Sequence, residues 1–186
     1  MKQVENRLEE LARQIRACSL CRLSKSRKKA VPGEGPAGAK LFFVGQAPGR
    51  REDESGKPFV GMAGRFLDKL LVKAGIERSG VFITSAVKCF PPKNRKPRAD
   101  ELAACLSYLK AQIEAVNPRL IILLGEVAVA DVLGKKLGEV AGKVVEKEGR
   151  KFFATFHPAA GMRFPKIRRR MEENFRKIAL ISRAGS

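Results

Sequence analysis

Tryptophan is absent from this 186-residue chain, tyrosine and histidine occur once each, and cysteine occurs only four times. No apolar run approaches the length of a membrane span, and the amphipathic N-terminus lacks the layout of a secretory signal. These absences argue against a membrane protein and against a disulfide-dense secreted scaffold, and predict a cytoplasmic chain with reduced thiols. Carboxylates are scarce as well: 19 Asp and Glu face 38 Lys and Arg, for a net charge of +19. A thermophile's charge-rich surface raises both signs together, whereas this excess of one sign is the electrostatic footprint of a nucleic-acid binder. The eleven phenylalanines are not regularly interleaved with basic residues, so a strand-stacking platform is not the reading. There is no Walker loop, no Gly-x-Gly-x-x-Gly, no internal repeat and no domain-sized linker. Residues 1–186 read as one domain, with 44% hydrophobic content sufficient for a core.

What is present alternates. Helical spacing predicts an amphipathic helix over residues 3–17, followed by a basic, Gly/Pro-rich connection from Leu23 to Gly38. Short apolar runs at 40–44, 80–84 and 118–124 read as buried strands. Helical patterns occupy 66–74, 99–116 and 126–133 between them, and a basic helix closes the chain from Arg163 to Ile181. Residues 143–147 and 151–156 form a turn-linked pair of strands around Glu148-Gly149, and Ala184-Gly-Ser186 reads as a tail. Strands alternating with helices predict an α/β fold, a parallel sheet covered on both faces. Ligands then bind outside the carboxyl ends of the strands. That rule selects Gly45-Gln-Ala-Pro-Gly49, Ser85 with Lys88 to Pro92, Gly125-Glu126 and His157-Pro-Ala159, and expects them to share a cleft.

Cys18 and Cys21, two residues apart, are a chelate unit, with Cys89 and Cys105 far downstream. In a reducing compartment metal or cluster ligation is favoured over disulfides, and composition alone leaves zinc open. Phe59 stands alone among glycines, where it offers either a core anchor or a flat face for a base. His157, the sole histidine, ends an apolar strand, where it is either structurally satisfied or catalytic.

These segments together resemble the family-four uracil-DNA glycosylases, iron–sulfur members of the uracil-DNA glycosylase superfamily found in bacteria and archaea. The similarity runs from Cys18 to about Arg163 through Gly33-Glu-Gly-Pro36, Val44-Gly-Gln-Ala-Pro-Gly49, Pro58-Phe-Val-Gly61, Ile83-Thr-Ser-Ala-Val-Lys-Cys89, Pro91-Pro-Lys-Asn-Arg95 and His157-Pro-Ala159. It implies a three-layer αβα sandwich with a central, mainly parallel four-stranded sheet. It implies a 4Fe–4S cluster on Cys18, Cys21, Cys89 and Cys105, structural and tying the N-terminal helix to the body. Base removal needs the nucleotide flipped out of the helix. By the resemblance Phe59 stacks on the extruded base, and His157 donates a hydrogen bond to it as negative charge develops. Ala47, Gly49 and Ser85 bind the base, while Met162 or Arg163 wedges into the groove. Arg65, Lys88, Lys93, Arg95 and Arg168–Arg170 are candidate phosphate contacts.

Two departures fall where catalysis and base choice are decided. Gln46 stands where the family has Glu, so Glu52 becomes the substitute carboxylate, with Asp53 behind it. Ser85 stands where the family has Asn, and a hydroxyl makes fewer contacts to a pyrimidine edge. The expected protein is a monofunctional glycosylase releasing a deaminated base, uracil first, without strand cleavage or covalent trapping. The alternatives are a base range shifted to hypoxanthine, xanthine or mismatched thymine, or a weakly catalytic binder of uracil or abasic DNA. A monomeric, thermophilic prokaryotic enzyme, cytoplasmic and nucleoid-associated, completes the expectation; no motif for a polymerase clamp is present.

Overall fold

The computed structural model describes residues 2–184; Met1 and the tail residues Gly185 and Ser186 lie outside the described residues. Its centre is a five-stranded sheet in the order β2-β1-β3-β5-β4. The strands are β1 (Leu41–Gly45), β2 (Val81–Ser85), β3 (Leu120–Leu124), β4 (Val144–Lys147) and β5 (Arg150–Thr155). β2, β1, β3 and β5 run parallel, and β4 lies antiparallel on the outer edge of β5. The expected four-stranded sheet therefore gains one strand. Glu148 and Gly149, both at positive φ, form a two-residue hairpin too short for any parallel crossover.

Every residue of β1, β2 and β3 is buried, as continuous apolar runs require when helices cover both faces. Period-two alternation divides the core. Phe42, Val44, Phe82, Ile121 and Leu123 face α4 (Ala99–Val116), α5 (Glu126–Leu133) and α6 (Leu137–Val140). Leu41, Phe43, Ile83, Ile122 and Phe153 face α3 (Met62–Ala74) and α8 (Pro165–Arg183). The layers are αβα. The N-terminal helix α1 (Lys2–Ala17) packs along α4, and Ile15 enters a small third cluster with Leu23, Val87, Cys89 and Cys105.

Three details depart from the sequence pattern. Arg50–Ser55 is a short helix, α2, inside the segment read as a Gly-rich loop. A separate short helix, α7 (Pro158–Arg163), precedes the closing helix and ends at Phe164, whose extended backbone (φ −122°) is what the following Pro165 favours. The basic connection is also ordered against the sheet, where Glu34 bridges Ile83 and covers the free edge of β2. The chain returns from β2 across β1 to reach β3, so the switch point lies beside β1, above the strands' carboxyl ends.

Candidate active site

At that end of the sheet a cleft encloses about 1330 Å³ of atom-free space, roomy enough for a nucleotide and open to solvent. Its floor comes from the strand ends: Ala47 and Gly49 after β1, Ser85 at the end of β2, and His157 after β5. The Phe59 ring and the His157 imidazole, contributed by distant segments, meet with centroids 6.1 Å apart and planes tilted by 31°.

Backbone shape makes that meeting possible. A Cβ on Gly45 would stand 2.6 Å from the tip of the Phe59 ring and 3.3 Å from Ser85 Oγ, so only glycine leaves room for the ring. A Cβ on Gly64 would lie 1.7 Å from the Phe59 carbonyl oxygen, so α3 presses its backbone directly onto the Phe59 turn. Phe59 itself sits at φ +52°, an uncommon conformation for a bulky residue, which the surroundings must impose. Two clasps do so. Glu52 Oε1 accepts the Val60 and Gly61 N–H groups at 2.8 and 2.7 Å, and its Oε2 accepts Gly49 N–H at 3.0 Å. On the other side, Arg78 donates to the Pro58 carbonyl at 2.8 Å while pairing with Asp68 at 2.7 Å.

The imidazole has a defined proton. Ala159 N–H donates to His157 Nδ1 at 3.2 Å, which leaves the hydrogen of the neutral ring on Nε2. Burial pushes the His157 pKa down to about 4, against a smaller upward pull from the Glu52 carboxylate. At neutral pH the cleft thus presents an uncharged N–H donor, an aromatic face, a serine hydroxyl and a carboxylate already engaged with three backbone amides.

The other sequence candidates divide. Met162 and Arg163 line the mouth from α7. Arg168 donates to the Gly161 and Met162 carbonyls and covers Phe66, so it braces that helix. Gln46 does not line the cleft; its carbonyl accepts Val87 N–H at 3.3 Å. Arg65 and Lys93 are exposed but outside the lining. Two phosphate candidates are corrected. Lys88 is 1% exposed, and its ammonium is spent on Thr84, Ser85 and Gln112 at 2.7–2.8 Å. Arg95 makes a two-pronged pair with the fully buried Glu101 at 2.7 and 2.8 Å, which holds the Glu101 carboxyl below its usual range. Arg50, Arg51, Met62 and Asn94 line the cleft and escaped sequence reading. The two arginines directly follow the strand-end loop, a signal available in the sequence; Asn94 offered none.

A second, much smaller pocket is lined by all four cysteines with Ile15, Arg27, Lys88 and Tyr108. The thiols are free, and Arg27 donates to Cys89 Sγ at 3.2 Å. Burial raises the Cys89 pKa and pushes Cys105 up to about 11. Among the described residues no three His, Cys, Asp or Glu side chains gather so as to hold a metal ion.

Comparison with known proteins agrees with this geometry. The model of the uracil DNA glycosylase superfamily matches residues 32–179. The chain is 45% identical over 182 residues to the type-4 uracil-DNA glycosylase of Saccharolobus solfataricus, covering 92% of this chain and 84% of that one. It is 41% identical to the type-4 enzyme of Archaeoglobus fulgidus, covering 92% and 91%, and 42% identical to that of Thermotoga maritima, covering 83% of each. The chain belongs to the uracil DNA glycosylase superfamily.

Proposed function

We propose that this superfamily member hydrolyses the N-glycosidic bond of uracil flipped out of DNA, leaving an abasic site. The observation that carries the reading is the pairing of Phe59 and His157 across one strand-end cleft. The flipped base stacks on Phe59, with Ser85 at its edge and the backbone of the 46–49 loop around it. As the C1′–N bond breaks, negative charge grows on the leaving base, and the Nε2–H of His157 donates to its oxygen. A neutral donor suits this task, since its bond strengthens as the charge develops. Glu52 acts through its charge: with both oxygens holding backbone amides, it opposes the cationic sugar more readily than it deprotonates water. The site residues act within one domain spanning residues 1–186.

Four thiols lining one pocket, with a guanidinium against one sulfur, supply the all-thiolate donor set that an iron–sulfur cluster takes. Cys18, Cys21, Cys89 and Cys105 would hold a 4Fe–4S cluster. When bound, such a group would cross-link thiolates from separate segments, here the turn after α1, the strand-end loop and α4. Arg50, Arg51 and Arg163 at the mouth replace Lys88 and Arg95 as the phosphate contacts, and Met162 is the wedge.

A second reading, a wider range of bases, is favoured by the placement of Ser85 and Gln46. The cleft holds a hydroxyl where the family's amide would read the pyrimidine edge, and Gln46 lies off its lining. Single-turnover base release from oligonucleotides carrying uracil, hypoxanthine, xanthine or mismatched thymine tests both. Uracil released first, leaving alkali-labile sites, is the expected result; release of no base from any substrate overturns the proposal.

A further inference from the structure

Phe59 reaches the strand ends through a backbone turn that a bulky residue disfavours, and one guanidinium holds the start of that turn. Arg78 opens the turn Arg78–Gly80 that leads into β2. One of its nitrogens donates to the Pro58 carbonyl at 2.8 Å and to Glu34 at 3.1 Å, and another donates to Asp68 at 2.7 Å. Both carboxylates sit on fixed backbone. Glu34 exchanges backbone hydrogen bonds with Ile83 of β2 at 2.8 and 3.0 Å. Asp68 lies one helical turn beyond Gly64, where α3 presses on the Phe59 carbonyl. The guanidinium therefore takes its bearing from β2 and α3 and delivers it to the residue before the ring, while Glu52 grips the two residues after it. Little of this serves stability. Asp68 and Glu34 are 42% and 43% exposed, so water takes over their carboxylates when the guanidinium is removed. What depends on the grip is the pitch of the ring, whose tip stands over Gly45 beside Ser85 and whose centroid lies 6.1 Å from that of His157.

We infer that Arg78 is a positioning residue for base release: by fixing the Pro58 carbonyl it sets the plane on which the base stacks relative to the His157 donor. The inference rests on the glycosylase reading, in which the base lies on Phe59. Three acceptors in different directions have to be met by one rigid group, which is what the planar guanidinium fork provides and a lysine ammonium does not. A base held at the wrong pitch presents its oxygen away from Nε2–H, and the bond that should strengthen as charge develops is lost.

The test is a double-mutant cycle between Arg78→Met and Phe59→Ala in the full chain. Arg78→Met lowers the single-turnover rate of uracil release about tenfold at saturating enzyme. Its melting temperature moves by no more than about 2 °C. Added to Phe59→Ala, the same change lowers the rate by less than about twofold, because no ring remains to be positioned. Arg78→Lys keeps the charge without the fork and stays well below the parental rate. Should Arg78→Met not fold, Asp68→Asn carries the cycle, since it leaves the guanidinium without its orienting charge; its loss is about threefold. Additive losses in the cycle, or a parental rate in Arg78→Met, overturn the positioning role, and a parental rate in Arg78→Lys overturns the need for the fork. The cycle is repeated on the affinity for an oligonucleotide carrying 2′-fluoro-2′-deoxyuridine, whose glycosidic bond resists cleavage. Non-additive losses of affinity there sustain the role of Arg78 and additive losses overturn it, whether or not the parent releases uracil. A parent that binds but releases no uracil sinks the glycosylase reading instead.

Discussion

The two cavities begin four residues apart on the same strand end, at Ser85 and Cys89, yet they are built on different principles. The base cleft is floored by the ends of three parallel strands, and its aromatic wall is locked by Glu52 and Arg78. Each part has its partners within the protein, so the cleft is preorganised by the polypeptide alone. The cysteine cavity is assembled from the end of α1, a strand-end loop and the middle of α4, and burial raises the pKa of two of its thiols, Cys89 and Cys105. The sheet supports one site unaided; on the proposed cluster reading, the other would gain cohesion from the group it holds.

The sharpest way to break this comparison is to damage each cavity and read both properties. His157→Ala should lower single-turnover uracil release by about 10²–10³-fold with the melting temperature almost unchanged, because one transition-state donor is lost from a rigid cleft. Cys105→Ser should do the reverse in emphasis, lowering the melting temperature by about 5–10 °C with loss of iron, as expected when about 3 kcal/mol of linked stability disappears. Equal thermal losses in both variants would abolish the distinction.

Acidity sharpens it next. Burial pushes the folded-state pKa of His157 down to about 4, from the ordinary imidazole value of 6.5. Between these values the unfolded chain binds the extra proton, so acidification through this window lowers stability and empties the neutral donor only near its lower end. Base release should therefore be insensitive to this group above about pH 5 and fall toward pH 4. A rise in activity on acidification through pH 6.5 would mean that the imidazolium is the working form.

The smallest effect separates cations at the cleft mouth from those locked in the fold. Arg51→Ala should reduce the salt dependence of DNA binding by about one released counterion. Arg95→Met should leave that slope unchanged and instead cost about 3 kcal/mol of stability, because it strands the buried Glu101 carboxylate. Fluorescence-anisotropy titrations over a salt series, with thermal melts, distinguish the two.

Most of the architecture was legible along the chain because apolar runs and helical spacing are local. Parallel strands buried on both faces leave uninterrupted segments such as Leu120–Leu124, and the strand-end rule then located Ser85, Gly49 and His157 without any side-chain geometry. Errors concentrated on long charged side chains. Lys88 and Arg95 lie in a basic, loop-like stretch that reads as surface, yet acceptors at Gln112 and Glu101, far along α4 or at its start, take them inward. Both strands of the 144–155 hairpin are legible from the turn at Glu148-Gly149, and the outer one extends the sheet to five because the tight turn lays it antiparallel on β5.

The order of residues alone determined the alternating α/β layers, the four thiol donors and the segments that end at the ligand-binding edge, since each follows from spacing or residue type. Tertiary structure alone decided which charges stand at the cleft mouth, which are drawn into the core, and how Glu52 is spent on three amides. The reason is physical: a hydrogen-bonding group takes its role from whichever partners the fold delivers within about 3 Å, and that distance is set by the packing of remote elements.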